Sequence, residues 1–198
     1  MLHTILAADV SLRAWLSAHH TGWLDQVMLA LSLLGEGGTI WLMIAAVATI
    51  RQPRLAAQLW QVALAVLLAY LAVDVALKPF IARARPFDAL PDVHVVGWHP
   101  VTYSFPSGHA ASAIAGAFIV SLMLPELRVL LWALALAIAF SRIYLGVHYP
   151  IDVAGGVLVG WAIGVVVTGG RHWYRGRADA VPADSVPAVG GSTTGRVI

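Results

Sequence analysis

The sequence predicts an all-α, polytopic membrane helix bundle of five to six transmembrane helices, preceded by an N-terminal interfacial helix. Three observations lead there. The 198 residues are 60% hydrophobic and only 11% charged, whereas a soluble domain carries about 25% charged residues. The apolar residues fall into long uninterrupted runs rather than alternating along strands. Proline, glycine and arginine punctuate the ends of those runs, where helices stop.

In residues 4–18, Ile5, Leu6, Val10, Leu12, Trp15 and Leu16 recur at roughly helical spacing among polar positions. This suggests an amphipathic helix lying in the membrane interface, and residues 1–22 are taken as that segment. Polar residues interrupt it and no small-residue cleavage site follows, so a cleavable signal peptide is not expected. Residues 23–34 form a short apolar helix stopped by Leu34-Gly35-Glu36-Gly37-Gly38, and residues 39–50 form another ending at Arg51-Gln52-Pro53-Arg54. Neither reaches the roughly 20 residues that a span needs, so one or two crossings are expected from this part.

Four stronger runs follow: 55–77 ending at Lys78-Pro79, 107–124 ending at Pro125, 128–147, and 150–168. The last opens on Pro150, which a first helical turn tolerates. Residues 23–175 thus form the membrane-embedded domain. Residues 176–198, rich in Gly, Pro, Ala, Ser and Thr, read as a disordered cytoplasmic tail.

The absence of cysteine excludes disulfides and thiolate sites. The net charge of +2 is spread over the ends of apolar runs and does not point to nucleic acid. Arg51, Arg54, Arg128, Arg171, Arg175 and Arg177 fall on one side of the threading; Lys78, Arg83 and Arg85 fall on the other, with Arg142 just beneath. The arginine-rich side is expected in the cytoplasm. Stretches 78–106 and 142–152 then share the external face of a bacterial-type inner membrane.

Three clusters carry chemistry. In the first, Lys78 (the single lysine of the chain) precedes Arg85-Pro86. An ammonium beside a guanidinium suits a phosphate, although a snorkelling interfacial cation is the plainer explanation. In the second, Pro106-Ser107-Gly108-His109 opens a helix. Free N–H groups there cradle an anion, and His109 can give a proton; a Ser cap beside an interfacial histidine would look the same. In the third, Ser141-Arg142 precedes His148 and Asp152, a cation beside an imidazole that a carboxylate could orient. Because Pro150 intervenes, spacing alone does not bring His148 and Asp152 into contact. Asp74 lies four positions before Lys78 and could pair with it or with another helix.

Together the clusters read K-x-x-x-x-x-x-R-P, then P-S-G-H, then S-R-x-x-x-x-x-H-x-x-x-D. On these motifs the chain resembles the type 2 phosphatidic acid phosphatase superfamily, which includes membrane lipid phosphatases, bacterial acid phosphatases and vanadium haloperoxidases. The resemblance implies that His148 is a nucleophile forming a phosphohistidine, that Asp152 orients it, and that His109 is the general acid. It implies that Lys78, Arg85, Ser107, Gly108 and Arg142 hold the phosphoryl oxygens, with no metal and no cofactor. The expected activity is hydrolysis of a lipid phosphate: phosphatidic acid, phosphatidylglycerol phosphate, or a polyprenyl diphosphate. The bilayer and this lipid are the expected partners; no protein partner is implied. A phosphotransferase using the same site is the enzymatic alternative. A small transporter is the alternative from another class.

Overall fold

The computed structural model describes residues 9–12, 15–16, 19–90 and 93–178, with the side chains of 170–178 left aside. It divides into two units, Met1–Thr168 and Gly169–Ile198. Of the second, only the continuation of the last helix through Ala178 is described.

Helices α1 (Gly22–Leu34) and α2 (Thr39–Arg51) are joined by a 46° bend. Gly37 and Gly38 make that bend with φ of 56° and 68°, backbone that other residues adopt only with strain. Helix α3 (Ala56–Tyr70) runs into a π-helical stretch, Leu71–Leu77, and then into α4 (Lys78–Ile81). π-helical turns of this kind gather at functional sites. After a short α5 (Pro86–Ala89) come α6 (Gly108–Met123), α7 (Arg128–Tyr144) and α8 (Pro150–Ala178).

The bundle is built round α6, which packs against α2, α3 and α7. Twelve of its residues are buried, most of them Ala, Ser or Gly. Small residues let helix backbones approach closely in lipid, where apolar burial alone gives no drive to associate. Helix α8 answers with Gly156, Gly160 and Gly164: a Cβ at these positions would run into the Ser107 and Ala111 carbonyls and the Phe118 side chain of the α6 region. Gly116 makes the same room for Trp41 of α2. On the outside, Leu67, Val129, Leu130, Leu158 and Val166 are exposed, the surface a lipid-facing bundle presents.

By length and composition three helices can cross a bilayer among the described residues: Pro53–Ala89, Pro125–Tyr144 and Pro150–Gly169. The bent α1–α2 pair would make a fourth. The 16-residue α6 is apolar but shorter than a span, so the described residues give three to four spans by length against the five to six read from the sequence. The last helix, expected to stop at residue 168, continues to Ala178 because no proline interrupts it before Pro182. The N-terminal segment is described at 9–12, 15–16 and 19–22; its residues 1–8, 13–14 and 17–18, and the tail from 179 onward, lie outside the described residues.

Candidate active site

At one end of the bundle lies a cavity of about 650 Å³, lined by Lys78, Arg85, Gly108, His109, Arg142 and His148 among others. Three motifs spread over 75 positions thus converge. Asp152 stands behind His148 and does not line the cavity, nor does Ser107. The Ser107 hydroxyl accepts from the Ala110 N–H at 3.4 Å and so caps α6.

His148 sits on a tight loop between α7 and α8, in which Gly146 turns the chain at φ 84°. Its ring is 2% exposed. Nε2 lies 3.3 Å from Arg85 Nη1. A guanidinium can only donate, so Nε2 is the accepting nitrogen and the ring proton belongs on Nδ1. Nδ1 faces Asp152 Oδ2 at 3.6 Å, an electrostatic contact longer than a hydrogen bond. The Nε2 lone pair accepts from Arg85 Nη1, so attack requires that N–H to turn from Nε2 to a bound phosphoryl oxygen. Burial, with the charges of Arg85 and Arg142 adding to it and Asp152 opposing, pushes this imidazole down to about 3. It is neutral at ordinary pH.

Asp152 is fully buried and held on both oxygens. Oδ2 accepts from Ser104 Oγ at 2.5 Å and from the Tyr149 N–H at 2.9 Å. Oδ1 accepts from Arg83 Nη1 at 2.5 Å.

The cations are buried rather than snorkelling. Lys78 is 5% exposed; its Nζ donates to Asp74 Oδ1 at 2.6 Å and to Thr102 Oγ1 at 3.4 Å. This is the Asp74–Lys78 pairing that the i,i+4 spacing allowed. Arg85 is held by the Thr102, Tyr103 and Val147 carbonyls at 2.5–3.2 Å. Arg142 donates through Nη1 to Ser32 Oγ, and its buried Nε has no partner among the described residues. No carboxylate pairs with Arg85 or Arg142 among the described residues. Burying two guanidinium charges with no carboxylate in direct contact is costly, so the cavity suits an anion. His109, in the first turn of α6, has Nε2 3.2 Å from Glu36 Oε2. Gly108 lies so close to Asp74 that a Cβ there would stand 2.9 Å from its Oδ2.

Sequence reasoning missed Arg83, Ser104, Thr102, Ser32 and Glu36 as parts of this site. Glu36 and Ser32 belong to the first 50 residues, where no motif pointed. Arg83 did carry a signal: it is a second arginine two places from Arg85, in a chain that otherwise spends few charges.

Buried, uncompensated cations gathered round two histidines at one end of a lipid-embedded bundle are the equipment of a membrane phosphatase. The chain belongs to the PAP2 superfamily, whose family model matches residues 58–175. It is 40% identical over 154 residues to decaprenylphosphoryl-5-phosphoribose phosphatase of Mycobacterium tuberculosis, covering 74% of this chain and 82% of that one. It is 37% identical over 84 residues to undecaprenyl-diphosphatase of Sulfolobus acidocaldarius, covering 42% and 41%. Among solved structures it resembles a transmembrane PAP2-type phosphatidylglycerolphosphate phosphatase from Bacillus subtilis, with TM-score 0.67 and 25% identity over 86% of this chain and 87% of that one. It also resembles Aquifex aeolicus LpxE, with TM-score 0.69 and 27% identity over 80% and 93%. The protein is a membrane-embedded enzyme, a lipid phosphatase.

Proposed function

We propose that this enzyme hydrolyses a polyprenyl-linked phosphate at the external face of an inner membrane, through a phosphohistidine on His148. The observation that carries the covalent step is the accepting Nε2 of His148, turned to a cavity with two uncompensated guanidinium groups. Arg142, Arg85, Lys78 and the first N–H groups of α6 hold the equatorial oxygens of the phosphoryl group and spread its charge. Nε2 attacks phosphorus and the bond to the leaving oxygen breaks. That oxygen takes a proton from His109. Water gives a proton to the now neutral His109 as its oxygen attacks the phosphohistidine; the N–P bond breaks, inorganic phosphate leaves, and the His148 lone pair and the His109 proton are both restored. The Asp152 carboxylate stabilises the positive ring during the covalent stage.

The cavity continues past the cations onto Leu29, Leu33, Val66, Tyr70 and Val101, an apolar wall suited to the first carbons of a lipid tail. Similarity to the decaprenylphosphoryl-5-phosphoribose phosphatase over most of both chains favours a polyprenyl over a glycerolipid tail. The distribution of arginines supports the external orientation. The test is phosphate release by purified protein in detergent with EDTA present, from polyprenyl phosphates and diphosphates, phosphatidic acid and phosphatidylglycerol phosphate. Polyprenyl compounds should have the highest kcat/KM. A preference for the glycerolipids would overturn the tail assignment, and activity lost to EDTA and restored by magnesium would overturn the metal-free chemistry.

A further inference from the structure

Asp9, in the N-terminal segment, is 5% exposed although the chain around it is apolar. Its Oδ2 accepts from Arg83 Nη2 at 2.8 Å, and its Oδ1 accepts from the Ile151 N–H at 2.9 Å. The second of these bonds satisfies one of the free N–H groups in the first turn of α8, one residue before Asp152. The first holds a guanidinium whose other arm donates to Asp152 Oδ1 at 2.5 Å. The same guanidinium lies over the Tyr149 ring at 4.0 Å. One carboxylate therefore ties together the start of α8 and the irregular 82–85 segment, the two pieces of chain that meet at Asp152.

We propose that Arg83 is a positioning residue for Asp152 and that Asp9 acts through it, which makes the N-terminal segment a working part of the active site. Among the described residues Arg83 is the one side chain bonded to Asp152 Oδ1; Ser104 and the Tyr149 N–H take the other oxygen, the one that faces His148. Without Arg83, Oδ1 loses its partner; Ser104 and the Tyr149 N–H still keep Oδ2 toward His148 Nδ1, but the carboxylate is held less rigidly and carries its full negative charge. Arg83 also offsets part of the negative charge that Asp152 presents to the ring. The charged groups facing His148 are Arg85 from the 82–85 segment, Arg142 from α7 and Asp152 from α8, with Arg83 and Tyr149 behind Asp152.

This inference rests on His148 being the nucleophile, and that premise is tested separately: turnover in His148→Gln would remove it whatever Asp9 does. The experiment uses the full chain in detergent, with Asp9→Asn, Arg83→Gln, Arg83→Lys and the double variant Asp9→Asn/Arg83→Gln. Arg83→Gln should lower kcat by about 10- to 100-fold, the scale of losing an outer partner that orients a reacting group. KM and inhibition by inorganic phosphate should stay within about twofold, because the cavity cations are untouched. With Arg83 gone, the acid limb of kcat/KM should move to higher pH, since Asp152 then holds the imidazolium more strongly. Arg83→Lys should keep the limb in place and recover part of kcat. Asp9→Asn should lower kcat in the same direction and add nothing to Arg83→Gln in the double variant. Wild-type kcat in Asp9→Asn and Arg83→Gln would overturn the proposal. So would a loss in which phosphate inhibition weakens as much as kcat while the acid limb stays put, which is the mark of a merely structural contact. If Arg83→Gln does not fold, the lysine and asparagine variants alone decide between these outcomes.

Discussion

Asp152→Asn changes almost no volume and yet should be among the most damaging substitutions in this protein. In the structure Oδ2 accepts from Ser104 Oγ and the Tyr149 N–H and faces His148 Nδ1, while Oδ1 accepts from Arg83. An asparagine has one accepting oxygen and cannot serve both sides. If the oxygen stays toward Arg83, the amide N–H group meets the Tyr149 and His148 donors head on. The ring then relieves itself by moving its proton to Nε2, where it faces the Arg85 donor and the lone pair needed for attack is gone. If the amide turns over, a donor opposes the Arg83 guanidinium instead. Losing the orienting carboxylate of a nucleophile–base pair costs about 10⁴ in kcat in a comparable serine-enzyme triad. At 1.36 kcal/mol per decade that is about 5 kcal/mol of transition-state stabilisation. The assay is phosphate release in detergent from a lipid phosphate, with KM measured alongside. KM should change little, because Asp152 lies outside the cavity. A kcat within tenfold of the parent would refute the tautomer assignment and with it the role of Asp152.

Further expectations follow from the same contacts. His148 is held neutral well below its usual range, down to about 3 against a normal 6.5. Between those values the unfolded chain binds a proton that the folded one does not, so stability is full above about 6.5 and is lost as pH falls through that window. Thermal melts in detergent should show this decline in the parent and a shallower one in His148→Gln; parallel declines would contradict the burial argument. Gly160→Ala places a Cβ against the Ala111 carbonyl, which cannot yield. A cost of about 1–3 kcal/mol and a lower Tm are expected, whereas Gly22→Ala, with nothing within 4 Å, should leave Tm unchanged or higher. Single cysteines at Val101, which is 98% exposed, and at Arg54 test orientation in intact cells with an impermeant thiol reagent. Position 101 should label and position 54 should not; the opposite pattern would put the active site in the cytoplasm.

The helix bundle was legible because lipid demands long apolar helices, and proline and arginine mark their ends. The three motifs were legible because phosphate chemistry needs those residue types at short, regular spacing. What the sequence could not give was contact across distance. Glu36 meets His109 from 73 positions away, and Ser32 meets Arg142 from 110. Both come from α1 and the α1–α2 bend, whose apolar pattern is too short to mark a span. Asp9 falls among the polar positions of the N-terminal segment; its burial depends on Arg83 and on the first turn of α8, which no local pattern reveals. The His148–Asp152 relation was ambiguous for a stated reason, the proline between them. The structure puts Nδ1 toward Oδ2 with the carboxylate already committed to other donors.

The central claim is that His148 carries the phosphoryl group. Rapid quench of the purified enzyme with a lipid phosphate labelled in the scissile group, at neutral to alkaline pH to preserve a phosphoramidate bond, measures this directly. Proteolysis and mass spectrometry should then find one added phosphoryl group on the peptide containing His148. The label should be lost in acid, retained in base, and absent from His148→Gln. Phosphate release in the parent with no labelled peptide at any quench time, or a label that maps to another residue, would contradict the account.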